Sequence, residues 1–103
     1  MSPPVPADMG EVRAAIDALD RQLVPLLGRR LALIRRASEL KATPDQARVP
    51  WRIEDVVQKV RAEAQAVGFN ADLAEAIWRD MMEHCIRFEE NRLGARQREA
   101  GGR

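Results

Sequence analysis

Residues 11–42 read EVRAAIDALDRQLVPLLGRRLALIRRASELKA, and their spacing decides the fold. Val12, Ile16, Leu19, Leu23, Leu27, Ile34 and Ala37 follow one another in helical steps, as one face of a helix requires. Asp8 stands as an N-cap with Glu11 three residues later, the arrangement of a capping box. The pattern runs to about Lys41. Pro25 interrupts it chemically, because a proline inside a helix forfeits a hydrogen bond at a cost of about 3 kcal/mol. The apolar stripe keeps its phase on both sides, so a kink is expected there and not an end.

Outward from this helix the chain punctuates itself. Residues 42–50 hold Thr43, Pro44, Asp45 and Pro50 and read as a loop. A second helix is expected over residues 51–67, with Ile53, Val56, Val57, Val60 and Ala64 on one face and Gly68 as its C′ stop. Asn70 then caps a third helix, with Asp72 in its first turn and Leu73, Ile77, Met81, His84 and Phe88 facing inward. The expected organisation is a proline-rich N-terminal arm over 1–7, one helical domain over 8–95 and a frayed tail over 96–103.

The fold class is therefore all-α, with one long helix and two shorter ones. The long helix poses a geometric problem. About 33 residues at 1.5 Å each make a rod of about 50 Å, whereas a domain of this size has a radius of gyration near 13 Å. Two shorter helices do not cover such a stripe. An intertwined homodimer, in which a second copy supplies the cover, resolves it.

Composition narrows the function. Seventeen basic and sixteen acidic residues leave a net charge of +1, against the strongly basic balance of a general nucleic-acid binder. No apolar run reaches the roughly 18 residues that cross a membrane. The N-terminal residues lack the charged and apolar regions of a signal peptide. Cys85 is the one cysteine, which fits a reducing, cytoplasmic setting. No metal-ligand spacing surrounds it, and neither a metal nor a cofactor is expected. His84 and Cys85 do not make a catalytic pair, because adjacent residues on a helix face different ways; His84 is expected in the core.

The informative residues are positive charges turned inward. At about 100° per residue, Arg30 and Lys41 fall on the apolar face of the long helix, while Arg29, Arg35 and Arg36 point elsewhere and Arg13 lies at the edge. Interior cations cost several kcal/mol each unless compensated. One reading has them in structural salt bridges or snorkelling outward. The other has a basic cavity between helices that receives an anionic small molecule.

The same stretch resembles the opening helix of the AroQ-class chorismate mutases. It carries an Arg, the I-D-x-L-D signature, an L-L-x-R-R step and a Lys eleven residues after the second arginine. The resemblance covers residues 11–92 and includes the stretch from Pro50 to Arg52, the Gly68 turn and Glu89. It implies that chorismate or isochorismate binds between helices of an intertwined dimer. It also implies roles. Arg30 would clamp a substrate carboxylate bidentately, which its planar fork suits. Arg13 would hold a carboxylate across the dimer, and Arg52 would close over the substrate. Lys41 and Glu89 would hydrogen-bond the ether oxygen from two sides. The chemistry implied is pericyclic, so the protein folds the substrate into its reactive conformer and stabilises charge developing on the ether oxygen.

Two departures bear on the branch of the family. Glu89 stands where many mutases carry Gln, and a carboxyl donates to an ether oxygen only when protonated, so activity is expected to fall as Glu89 ionises. The alternative makes Glu89 a rim salt-bridge partner. Ile53 follows Arg52 where many mutases place a Glu, and Glu54 comes one position later. With the short loop from Lys41 to Arg52, this resembles the isochorismate pyruvate lyase branch, whose members convert isochorismate to salicylate and pyruvate. That activity is the first expectation. Chorismate mutase is the second, and a mutase for amino-substituted chorismate the third. A non-catalytic helical dimer that senses an anionic metabolite is the alternative from another class.

Overall fold

In the computed structural model, which describes residues 5–101, the chain is helical with no strand among the described residues. Helix α1 spans Met9–Leu40, a 3-10 turn spans Pro44–Gln46, α2 spans Pro50–Ala66 and α3 spans Ala71–Gly101. Most of the expected N-terminal arm (1–4) and the end of the expected tail (102–103) lie outside the described residues. No helix is long and apolar enough to cross a membrane. The chain divides into two compact units, Met1–Leu33 and Ile34–Arg103.

In the first unit, Asp8 begins α1 as its chemistry requires. The Asp8 Oδ1 accepts from the Glu11 amide at 2.8 Å, and the Glu11 carboxylate accepts from the Ala7 amide at 2.6 Å. One amide that a helix start leaves orphaned, that of Glu11, is thus satisfied, and the reciprocal bond falls on the residue before the cap. Pro25 lies inside α1, which runs on past it to Leu40. The apolar stripe is not buried in this chain. Ile16, Leu19, Leu23 and Leu27 are each about half exposed.

The second unit has its own core. Val57 and Ala64 of α2 and Ala74, Met82, Ile86 and Leu93 of α3 are buried. Ala47, from the segment between the 3-10 turn and α2, joins Ile86 and Leu93, with Ile53 packed against them. The turn between α2 and α3 follows from Gly68, whose φ of +74° is strained for residues with a Cβ. Its amide donates to the Gln65 carbonyl at 3.3 Å and the Phe69 amide to the Ala64 carbonyl at 2.8 Å, which is a Schellman motif. Asn70 then caps α3, its Oδ1 accepting from the Leu73 amide at 3.0 Å.

Two expectations are corrected here. The buried face of α3 is not the line through Leu73, Ile77, Met81, His84 and Phe88. Leu73 and Ile77 are exposed, as is the His84 side chain, whose Nε2 lies 3.8 Å from an Asp80 oxygen. The buried line runs one residue later, through Ala74, Met82, Ile86, Glu89 and Leu93. Two apolar lines lie about 100° apart on this helix, and the bulkier side chains drew the reading to the wrong one. Helix α3 also continues to Gly101, so residues 96–101 are helical where a frayed tail was expected.

Ion pairs lace the unit together across its surface. The Arg79 guanidinium makes two bonds to Glu54, at 2.8 and 3.0 Å, and a third to Glu75 at 2.7 Å. Arg48 makes a similar pair with Glu83, at 2.7 and 2.9 Å, and Arg61 reaches Asp72 and Glu75. These donors hold the Glu54, Glu75 and Glu83 carboxyls below the usual carboxylate range.

Candidate active site

Lys41 is the first residue past the end of α1, where its amide still donates to the Ser38 carbonyl at 3.4 Å. Its side chain is half-buried and meets α3. There the Lys41 ammonium donates to Glu89 Oε2 at 2.7 Å. Glu89 sits on the buried line of α3, three residues after Ile86 and four before Leu93, and is only 3% exposed. A carboxylate so placed costs several kcal/mol without a partner, and Lys41 supplies one. Glu89 is therefore a salt-bridge partner, of Lys41, but from the interior and not from the rim.

A third residue meets this junction. Arg96, on α3, donates through Nη1 to the Ser38 carbonyl at 3.5 Å and through Nη2 to the carbonyl of Lys41 itself. Ser38 is buried and its hydroxyl donates to the Arg35 carbonyl at 2.7 Å. Nearby, the guanidinium groups of Arg35 and Arg92 lie 5.8 and 5.5 Å from the centre of the Phe88 ring, within cation–π range. Arg35, off the apolar face of α1, thus meets an aromatic ring. Sequence reading missed Arg96 because it assigned residue 96 to a tail. The signal was present nonetheless: seven residues after Glu89, two helical turns, it shares the same face.

Of the other predicted site residues, Arg52 lies in the first turn of α2, exposed, and its Nη1 bonds Asp55 Oδ2 at 2.6 Å. Lys59 adds a second bond to Asp55, and the two cations hold that carboxyl below its ordinary range. Glu54, one place after Ile53, is taken up by Arg79. Arg13 and Arg30 belong to the first unit, Arg13 exposed and Arg30 half-buried. Of the five residues singled out from the sequence, Lys41 and Glu89 are in direct contact.

Beside the start of α2 lies a cavity of about 380 Å³ with an apolar floor of Pro50, Ile53, Met82 and Ile86. This volume suits a small ligand. Its arginines, Arg48 and Arg79, are both bound to carboxylates, so its rim carries little net charge for gripping a dianion.

The fold and this junction define a small helical domain in which a helix-end lysine meets a buried glutamate. Residues 12–90 match the family model described as "Chorismate mutase type II", and the chain belongs to that family. It is 34% identical over 87 residues to the T-protein of Haemophilus influenzae, covering 82% of this chain and 22% of that one. It is 31% identical over 87 residues to the T-protein of Enterobacter agglomerans, covering 84% and 23%. The chain thus spans less than a quarter of the length of either T-protein. It is also 27% identical over 78 residues to the isochorismate pyruvate lyase of Pseudomonas aeruginosa, covering 76% of this chain and 77% of that one.

Proposed function

We propose that this chain is an enzyme acting on the enolpyruvyl ether of a chorismate-type dianion, with rearrangement of chorismate to prephenate as its first activity. The observation that carries this reading is the Lys41–Glu89 contact, a cation and a buried carboxyl at 2.7 Å in a chain of the chorismate mutase family. The ether C–O bond breaks as a C–C bond forms, and negative charge grows on the ether oxygen. Lys41 donates to that oxygen, and Glu89 flanks it from the other side. Arg30 clamps one carboxylate, Arg13 holds a carboxylate from a second copy, and Arg52 leaves Asp55 to close over the ligand.

The active form on this reading is an intertwined homodimer. Its support is the half-exposed stripe of Ile16, Leu19, Leu23 and Leu27, which water disfavours by about 25 cal/mol per Å² of apolar surface. A cytoplasmic setting suits a chain with a single cysteine.

The first expectation from the sequence was elimination, isochorismate giving salicylate and pyruvate. The family match shifts the order, and elimination becomes the second reading. Two observations favour it: Ile53 follows Arg52 with Glu54 already bound to Arg79, and the lyase of Pseudomonas aeruginosa matches over most of its own length. One assay tests both. Purified protein receives chorismate or isochorismate, and prephenate, salicylate and pyruvate are followed. Prephenate from chorismate is the expected product; salicylate and pyruvate from isochorismate, with no prephenate from chorismate, would replace the first reading with the second. Turnover of neither would overturn both.

A further inference from the structure

A helix leaves its last carbonyls without partners, and chains commonly satisfy them with a left-handed glycine or a basic side chain in the last turn. Helix α1 has neither. Its last turn contains no basic residue, and the positive φ among the described residues is at Gly68, not beyond Leu40. Beyond the Lys41 amide, which bonds the Ser38 carbonyl at 3.4 Å, a further partner comes from another helix: the Arg96 fork spans the Ser38 and Lys41 carbonyls. A cation at this end also complements the negative pole of the α1 dipole.

The consequence lies in which residue is held. Glu89, Leu93 and Arg96 follow one another at four and three residues on α3, and they meet the end of α1 together. Glu89 takes the Lys41 ammonium, while Arg96 takes the carbonyl of the same residue. Lys41 is gripped at both ends by one face of one helix, with Leu93, 1% exposed, between the two grips.

We propose that Arg96 is a positioning residue for Lys41. It fixes the backbone from which the ammonium swings between Glu89 in the empty site and the substrate's ether oxygen in the occupied one. The tip changes partner, and the root does not. This inference rests on Lys41 acting at the substrate as set out above. Misplacing a catalytic group by about 1 Å costs up to about a hundredfold in rate, so loss of the fork slows turnover even where the fold survives.

Arg96→Ala, Arg96→Lys and Lys41→Met variants are compared with the parent for helicity and melting, for turnover of chorismate and isochorismate, and for the NMR signal of the Lys41 ammonium. Arg96→Ala is expected to lower kcat about ten- to hundredfold and to move the ammonium signal toward that of a free lysine, with helix content retained. Arg96→Lys keeps a cation and regains part of both, and it carries the test if Arg96→Ala does not fold. The positioning role is overturned if the alanine variant keeps parental kcat, or if kcat falls while the ammonium signal stays in place. A Lys41→Met variant with parental turnover would instead overturn the reading of the site on which this rests.

Discussion

The part of α1 that precedes Ile34 and the hairpin of α2 and α3 are both amphipathic helix, yet they are stabilised differently. In the hairpin, Val57, Ala64, Ala74, Met82, Ile86 and Leu93 are buried, and Arg–Glu pairs cross between α2 and α3. In the first unit, Ile16, Leu19, Leu23 and Leu27 stay half exposed. Helical spacing identifies an apolar face in each. It does not say what covers that face. Buried apolar residues report a core the chain completes by itself, whereas an exposed stripe reports a surface whose cover is the proposed second copy.

The largest effect that sharpens this contrast is on activity. Arg30→Ala in the first unit is expected to reduce turnover about a thousandfold, the scale for removing one electrostatic donor from an active site. Its far-UV circular dichroism should match the parent. A variant that keeps most of its turnover would detach the first unit from the chemistry.

Next in size is a test of the two faces. Leu93→Ala opens a cavity in the hairpin core and should cost about 2–5 kcal/mol in denaturant melts. Leu23→Asp, on the exposed stripe, should leave a folded hairpin but shift sedimentation from dimer to monomer. If Leu23→Asp sediments as the parent does, the stripe is not an interface.

A moderate effect concerns Glu89, the buried carboxyl that the family resemblance and the hairpin packing both single out. If it acts at the substrate, Glu89→Ala lowers turnover about ten- to hundredfold, whereas Glu89→Gln, a permanent donor of similar size, retains most of it. Parental turnover in the alanine variant removes that role.

The smallest effect belongs to the surface ion pairs. Hydrogen bonds from Arg79, Lys59 and Arg48 hold Glu54, Asp55, Glu75 and Glu83 below their ordinary values of 4.5 for Glu and 3.8 for Asp. A depressed carboxyl contributes stability that is complete above its unfolded value and lost as pH falls through its folded one. Melting temperature should therefore decline as pH drops below about 4.5, and salt should blunt the decline because exposed pairs are screened. Replacing Glu54 and Glu83 together by Gln should shrink the acid-sensitive step. An unchanged step would place the acid sensitivity elsewhere.

Much of this was legible in residue order, and the exceptions have physical causes. The Asp8 and Asn70 caps and the Gly68 stop are local chemistry, satisfied within a few residues, so spacing alone located them. The inward face of α2 was legible for the same reason. The buried face of α3 was not, because Leu73 and Ile77 are larger than Ala74, and burial on a helix depends on its neighbour as well as on its own hydrophobicity. Lys41 was expected on an inward face and Glu89 beside it by resemblance, but their contact at 2.7 Å joins residues 48 positions apart.

By itself, the order of residues determined three helices, their starts, the stops of α1 and α2, the inward placement of Lys41 and membership of a family. Those properties depend on local hydrogen bonding, on a period of 3.6 residues, and on motifs that survive in one dimension. Only the tertiary structure decided that α3 turns Ala74, Glu89 and Leu93 inward, that Glu54 is spent on Arg79, and that Arg96 grips the end of α1. Each of these joins groups distant in the chain, and such contacts exist only once the packing of whole helices has chosen which faces meet.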